Sequence, residues 1–345
     1  MNQIIQPNKP IYLLKKRTAW PWIIAGILIV TLSVGLLISL AANVALIGGK
    51  AGKGAVMVGQ DRFSEVALEG EGDDKIVIIP VKGFITFAAS RNFWERESMG
   101  KQVEERLLAA QGDPAVKAVI LKIDTPGGSI TASDIIYHRI KEIQAGGKIV
   151  VADFGDLAAS GGYYLACSAD YIVAHPTTIT GSIGVIIQSL NLEDLMSKIG
   201  IKDVTVKRGE EKDFLSPFRE MTPEEREMLQ GVVDEMYERF LSVVAEGRDL
   251  TREELDRVAG GRIFTGPQAL ANGLVDEIGY RDTAIEMARE LADLEEAAVI
   301  EYEKEYSFFD LFRGRVSRIF GPSPGVAIQQ LFKPQPPEIL YLWAL

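Results

Sequence analysis

The sequence predicts an α/β fold built on a mostly parallel sheet, and three observations lead there. Short β-branched runs recur without polar alternation: Ile76-Val77-Ile78-Ile79-Pro80-Val81, Ala118 to Ile123, Lys148 to Ala152, and Tyr171 to Ala174. Such continuous apolar strands belong to sheets covered on both faces. Between them lie stretches with helical spacing, at 97–110, 131–145 and 160–168, which makes the repeat strand–helix–strand. Glycine-rich turns follow two of the strands, at Asp124-Thr125-Pro126-Gly127-Gly128-Ser129 and Ala158-Ala159-Ser160-Gly161-Gly162.

Taken in order, the chain opens with residues 1–17, which end in Lys15-Lys16-Arg17. No charged side chain follows from Thr18 to Gly49. As a helix, Trp20 to Ile47 would reach about 42 Å, enough to span a hydrocarbon core of about 30 Å with some tilt. The cations before the run orient it as a single-pass anchor over 18–49, with the N-terminus cytoplasmic and the rest of the chain outside. Ala41-Ala42-Asn43-Val44-Ala45 has the small residues of a cleavage site, but the apolar run is longer than a signal-peptide core. Residues 50–74, rich in glycine and charge, read as a linker before order resumes at Lys75.

Past the four apolar runs, a helix at 191–199 precedes a strand near Val204-Thr205-Val206 and a polar loop from Arg208 to Glu220. Thr222-Pro223-Glu224-Glu225 then starts a helix to about Gly247, with Met228, Val232, Met236, Phe240 and Val243 at helical spacing. Residues 306–345 differ in texture. They mix apolar clusters with proline and read as a loosely ordered tail, with membrane contact or docking into an apolar groove on another copy as the functional readings.

Composition excludes several functions. The net charge is −11, and because residues 1–60 hold six Lys/Arg and no Asp/Glu, the remaining 285 carry −17. That surface repels nucleic acid. One cysteine, Cys167, forms no intramolecular disulfide and reads as a small buried residue. With His138 and His175 as the only histidines, no metal-ligand spacing is present and no cofactor is expected.

Two readings fit Ser160. In one it caps the helix after a tight turn. In the other it is a nucleophile, with small neighbours that let a carbonyl approach and with backbone N–H groups of Gly127 or Gly128 and of Gly161 forming an oxyanion hole. A nucleophilic serine needs a base. His138 falls on an amphipathic helix among Tyr137, Arg139 and Lys141, His175 follows a strand end and stays open as a base, and the scarcity of histidine points towards lysine. Lys212 sits between Glu211 and Asp213, a setting that by itself suggests a solvated ion pair.

The ordered motifs D-T-P-G-G-S, A-A-S-G-G-Y-Y, T-I-T-G-S-I-G-V, K-D-F-L-S-P-F-R-E-M-T and G-R-I-F-T-G-P-Q-A-L-A-N-G-L-V-D-E-I-G span about residues 75–300. Together they resemble the single-domain bacterial signal peptide peptidases of family S49, membrane-anchored serine proteases on the Clp protease/crotonase fold of repeated β-β-α units. The resemblance implies a peptidase domain over 75–305, with Ser160 as nucleophile, Lys212 as general base, and Gly127 or Gly128 with Gly161 as oxyanion donors. It also implies that Ser182 orients the lysine amine. Substrates would be hydrophobic remnant signal peptides, met at the membrane. The chain would form a homo-oligomer in which neighbouring protomers share each site. His175 stands where such proteins often carry asparagine. A related membrane protease with other substrates, a crotonase-like acyl-CoA enzyme and a non-catalytic assembly module are the alternatives, and only the last two dispense with Ser160.

Overall fold

In the computed structural model, residues 20–48, 56–58, 61–88, 97–304 and 339–342 are described. They fall into two units, residues 1–54 and 55–345. The first contains α1, Trp20–Gly48, 29 residues with no acidic or basic side chain in the first or last turn. Side chains of α1 are described for Trp20 and residues 24–40. Among the described residues no helix is long and apolar enough to cross a membrane, so the anchor expected over 18–49 rests on the sequence. Residues 1–17 and most of the tail, 305–338 and 343–345, lie outside the described residues.

The second unit begins earlier than Lys75. β1 (Val56–Val58) and β2 (Asp61–Glu69) pair antiparallel, and β2 carries Phe63 into the core at 1% exposure. This overturns the linker assignment for residues 61–69: β2 lies next to the sheet edge, covered outwardly only by the three-residue β1, so it buries only part of itself and its charges mimic a linker. β3 (Lys75–Lys82), β4 (Val116–Thr125), β6 (Ile149–Ala159) and β7 (Tyr171–Ala174) then run parallel to one another in that order. β11 (Glu277–Ile278) extends the sheet beyond β7, and β12 (Ala298–Lys304) lies between β3 and β2.

Alternation along these strands divides the core into two layers. Val77, Ile79, Leu121, Ile123 and Phe154 face the helices α2 (Met99–Gly112), α3 (Ile130–Ala145) and α4 (Gly161–Ala166). Ile76, Ile78, Ile120 and Val151 face α9 (Arg281–Leu291) through Ala284, Ile285 and Ala288. Both faces are covered, as the unbroken apolar runs require.

β6 outlasts its apolar run. Val151 to Phe154 pair with β7, whereas Leu157 to Ala159 pair with β8 (Ile179–Gly181), so the strand changes neighbour across Gly155 and Asp156. β8 pairs in turn with β10 (Ile263–Thr265), which leads into α8 (Gly266–Ala271). A second sheet joins β5 (Gly127–Ser129), β13 (Ile339–Leu342) and β9 (Ile186–Ile187), with β13 central and antiparallel to both neighbours.

The region after β9 is an exposed arm. α5 (Glu193–Ile199) buries no residue, and Val204 and Val206 are 85% and 96% exposed. The strand expected near 204–206 is absent, since β-branched alternation makes no strand without a neighbour to pair with. α6 (Pro223–Arg248) has the expected Thr222 capping box, and α7 (Arg252–Val258) follows it. Only the second half of α6 enters the core: Phe240 and Val243 are buried, Met228 is exposed, and Val232 and Met236 are intermediate.

Phe240 packs edge-on against Tyr164 of α4 at 5.2 Å between ring centroids. Phe240→Ala should therefore cost about 3–5 kcal/mol, read as a lower urea midpoint. A loss within error would mean that α6 does not brace α4.

Candidate active site

Ser160 follows the last residue of β6 and opens α4. Because Ala159 pairs with Gly181, the Ser160 N–H can donate to the Gly181 carbonyl at 2.8 Å, while its own carbonyl accepts the Tyr164 N–H at 2.8 Å. Satisfying both sends the backbone to φ 53° and ψ −115°, a region that costs a non-glycine residue about 1–3 kcal/mol. The side chain makes no capping bond, and its buried Oγ has no hydrogen-bond partner. The helix-cap reading of Ser160 is thus not what the structure contains.

α4 is held by its two tyrosines. Tyr163 donates its hydroxyl to the Leu274 carbonyl at 2.8 Å, and Tyr164 donates to the Asp134 carboxylate. Cys167, just beyond, is buried, and burial pushes its thiol up to about 12. Ser182 lies one residue past Gly181, at 6% exposure and φ 52°. Its N–H donates to the Arg262 carbonyl at 2.6 Å. Two serines in left-handed backbone therefore end neighbouring parallel strands.

The other glycine turn meets the first. Gly161 is close enough that a Cβ there would stand 2.7 Å from Ser133 Oγ and 3.3 Å from the Gly128 nitrogen. Of the expected oxyanion donors, Gly127 is already committed: its N–H donates to Thr125 Oγ1 at 3.0 Å, and Thr125 Oγ1 donates to the Gly83 carbonyl. The Gly127 carbonyl and the Ser129 N–H both bond Ile85, at 2.9 and 2.8 Å. Alternation along β5 then turns the Gly128 amide to the opposite edge, where Tyr341 of β13 is its register partner. Gly128, whose amide faces β13, and Gly161 lie side by side.

Neither histidine bonds Ser160, whose Oγ has no partner. His138 lies on the solvent face of α3, 3.5 Å from Glu142. His175 Nε2 stands 4.0 Å from Asp153 Oδ1, with Tyr280 against its ring. Asp153 is buried in β6 with that oxygen unbonded. Burial raises its pKa, and His175 opposes the rise. A cleft of about 360 Å³ lies here, lined by Lys82, Lys122, Asp124, Asp156, His175 and Arg281 among others. Ser160 is not on its wall. Among the described residues no group of three or more His, Cys, Asp or Glu is placed to hold a metal ion.

Lys212 lies on a 3₁₀ turn, Glu210–Asp213, that buries nothing. Within one chain its amine does not reach Ser160 Oγ. The anticipated ion pair with Asp213 is also absent. Asp213 is taken by Lys207 at 2.6 Å and Arg219 at 2.7 Å, and Arg219 also bonds Glu225. Sequence reasoning missed this network, although Arg219 and Glu225 stand at even six-residue steps from Asp213.

The profile of peptidase family S49 matches residues 142–295, and that of Clp protease matches residues 93–189. Over 300 residues the chain is 37% identical to a protein of Enterococcus faecium bearing the name signal peptide peptidase SppA, covering 84% of this chain and 86% of that one. It is 38% identical over 212 residues to Protease 4 of Salmonella typhi, and 35% identical over 225 residues to the chloroplastic serine protease SPPA of Arabidopsis thaliana. These two alignments cover 61% and 65% of this chain but only 34% and 33% of those longer proteins.

The buried carboxyl beside His175 gives a pH signature. A carboxyl whose folded pKa is raised penalises the native state increasingly as pH rises above about 4, where the unfolded group ionises, fully above the folded value, and not at all below about pH 4. Asp153→Asn should accordingly raise Tm at pH 7, with the gain disappearing on acidification below about pH 4. A gain independent of pH would assign the effect to packing.

Proposed function

The chain belongs to peptidase family S49 and is a serine-type peptidase; on that footing we propose that Ser160 is its nucleophile and that Lys212, supplied by a neighbouring protomer, is its general base. The observation that carries this reading is the strained, buried Ser160 with an unpartnered Oγ, followed by Gly161, which packs against the Gly128 nitrogen. Lys212 sits on an exposed arm with Leu190, Val204, Val206, Phe214 and Phe218. That apolar display fits docking against a second copy, which would bring the amine to Ser160.

In the proposed cycle, neutral Lys212 Nζ takes the Ser160 proton as Oγ bonds the peptide carbonyl carbon. Gly128 and Gly161 N–H groups receive the developing oxyanion. Collapse breaks the C–N bond, and the Lys212 ammonium protonates the leaving amine. Lys212 then deprotonates a water that attacks the acyl carbon, and Ser160 leaves with the returned proton. The Ser182 hydroxyl oxygen, one residue past the strand partner of Ala159, would accept from the Lys212 amine and aim it.

The substrate would bind as a strand. β13 supports this, because it runs antiparallel to both β5 and β9, with Tyr341 opposite Gly128 and with Leu340 and Leu342 partly buried. A hydrophobic peptide in that register places its backbone along the oxyanion strand. Remnant signal peptides have this chemistry. A single-pass anchor over 18–49, with the catalytic unit outside the cytoplasm, would hold the enzyme where they are released.

A fluorophosphonate probe should label Ser160 in the wild type and fail in both Ser160→Ala and Lys212→Ala. Labelling that survives loss of Lys212 would sink the dyad. Mixing the two inactive variants should restore part of the activity after subunit exchange, and no recovery would put both residues in one chain. Removing residues 339–345 should lower KM for an apolar peptide by vacating the strand position. An unchanged KM would place the substrate elsewhere.

A further inference from the structure

The Lys212 turn carries a problem that membership of the family does not solve. A base must be neutral and uncommitted, yet this lysine adjoins two carboxylates and follows a third, Glu210. The strongest threat is Asp213, its immediate neighbour on the same 3₁₀ turn. An opposite charge at short range favours the charged amine and binds it in place.

The structure disposes of Asp213. Arg219 donates through Nη2 to Asp213 Oδ1 at 2.7 Å and through Nε to Oδ2 at 3.2 Å, and Lys207 Nζ donates to Oδ1 at 2.6 Å. Arg219 Nη2 also donates to the Asp213 carbonyl at 3.2 Å. On its other side the guanidinium bonds both oxygens of Glu225, with Nη1 to Oε2 at 2.9 Å. Glu225 is 3% exposed and is fixed as the third residue of the α6 capping box, accepting the Thr222 N–H at 3.0 Å. The bonds to Arg219 and then Lys207 hold the Asp213 carboxyl well below its ordinary range, and Arg219 and then the Thr222 amide pull Glu225 down to about 2. Among the described residues Lys212 forms no ion pair or hydrogen bond through its amine.

We propose that Arg219 is a positioning residue for the peptidase reaction: it engages both Asp213 oxygens and ties the turn to the N-terminus of α6, leaving the Lys212 amine free for Ser160. This rests on the Ser–Lys reading above. The network is one cation forked between two carboxylates, with Lys207 as a second cation on the carboxylate nearest the base. Its Glu225 end is buried and braces the turn, while its Asp213 end, only partly exposed, acts on the base through electrostatics. Loss of Arg219 leaves Asp213 short of one cation, and Lys212, its neighbour on the same turn, is then drawn towards it.

The test uses the full-length chain in detergent, with kcat and KM measured on an apolar fluorogenic peptide and Tm recorded for each variant. Arg219→Gln should lower kcat by about 10- to 100-fold, less than the roughly 10²–10⁴-fold of losing a general base outright because the base is diverted and not removed, with KM changed less than about threefold. Adding Asp213→Asn to Arg219→Gln should bring kcat back to within about fivefold of wild type, a large coupling for two contacting residues. Both variants leave Glu225 without its cation, so a folding defect is common to them and cancels in the comparison. A double variant no better than Arg219→Gln, or a loss confined to KM or Tm, overturns the proposal and makes Arg219 a structural brace. Retained activity in Lys212→Ala would instead remove the Ser–Lys reading itself, an outcome separable from the failed rescue.

Discussion

The hydrogen bond from the Ser160 amide to the Gly181 carbonyl, 2.8 Å long, is the constraint on which the site depends. It is the last rung of a ladder that begins only after β6 has left β7, so it fixes where the strand stops and forces the next residue into left-handed backbone. A hydroxyl on an ordinary helix cap would turn back to the helix amides. Here that option is closed by geometry, and the Oγ is left without a partner in a buried setting. The same rung sets Ser182 beside it, because Gly181 is both the acceptor for Ser160 and the residue before Ser182.

The approach of the two glycine turns follows from packing as much as from backbone freedom. Ser133 reaches up from α3 with its Oγ bonded to the Ser129 carbonyl at 3.0 Å, so any side chain at Gly161 would meet it. Thr125 does similar work on the other side, donating to Gly83 and accepting from Gly127. Oxyanion catalysis gains from donors that need no rearrangement when charge develops, and these hydroxyl braces hold the β5 turn in place before any ligand arrives.

Much of this was legible in the sequence, for identifiable reasons. The runs at 76–81, 118–123 and 171–174 could be read because burial on both faces leaves almost no polar interruption, Lys122 being the exception. Ser160 and its glycines could be read because small residues at two consecutive strand ends open a space that an ordinary turn does not need. β2 was hidden because its alternation includes Asp61, Arg62, Glu65 and Glu69. The end of β6 was hidden because Gly155 and Asp156 interrupt its pattern where it changes neighbour. Lys212 could not be chosen from local charge, since neighbours in sequence said nothing of Arg219 and Glu225, which settle where Asp213 points. The Gly127 amide was miscounted as a donor because a threonine two residues before it claims the bond.

The pairing of β13 between β5 and β9 has a consequence for what such a groove can accept. Both of its edges offer main-chain groups, so an occupant must present unpaired N–H and C=O groups along two sides at once. A segment already in a helix or a sheet has spent those groups. If the groove takes the substrate as proposed, discrimination would begin before any side chain is read: native proteins would be passed over because their backbones are closed, while a loose apolar peptide, which has nothing else to pair with, would be admitted.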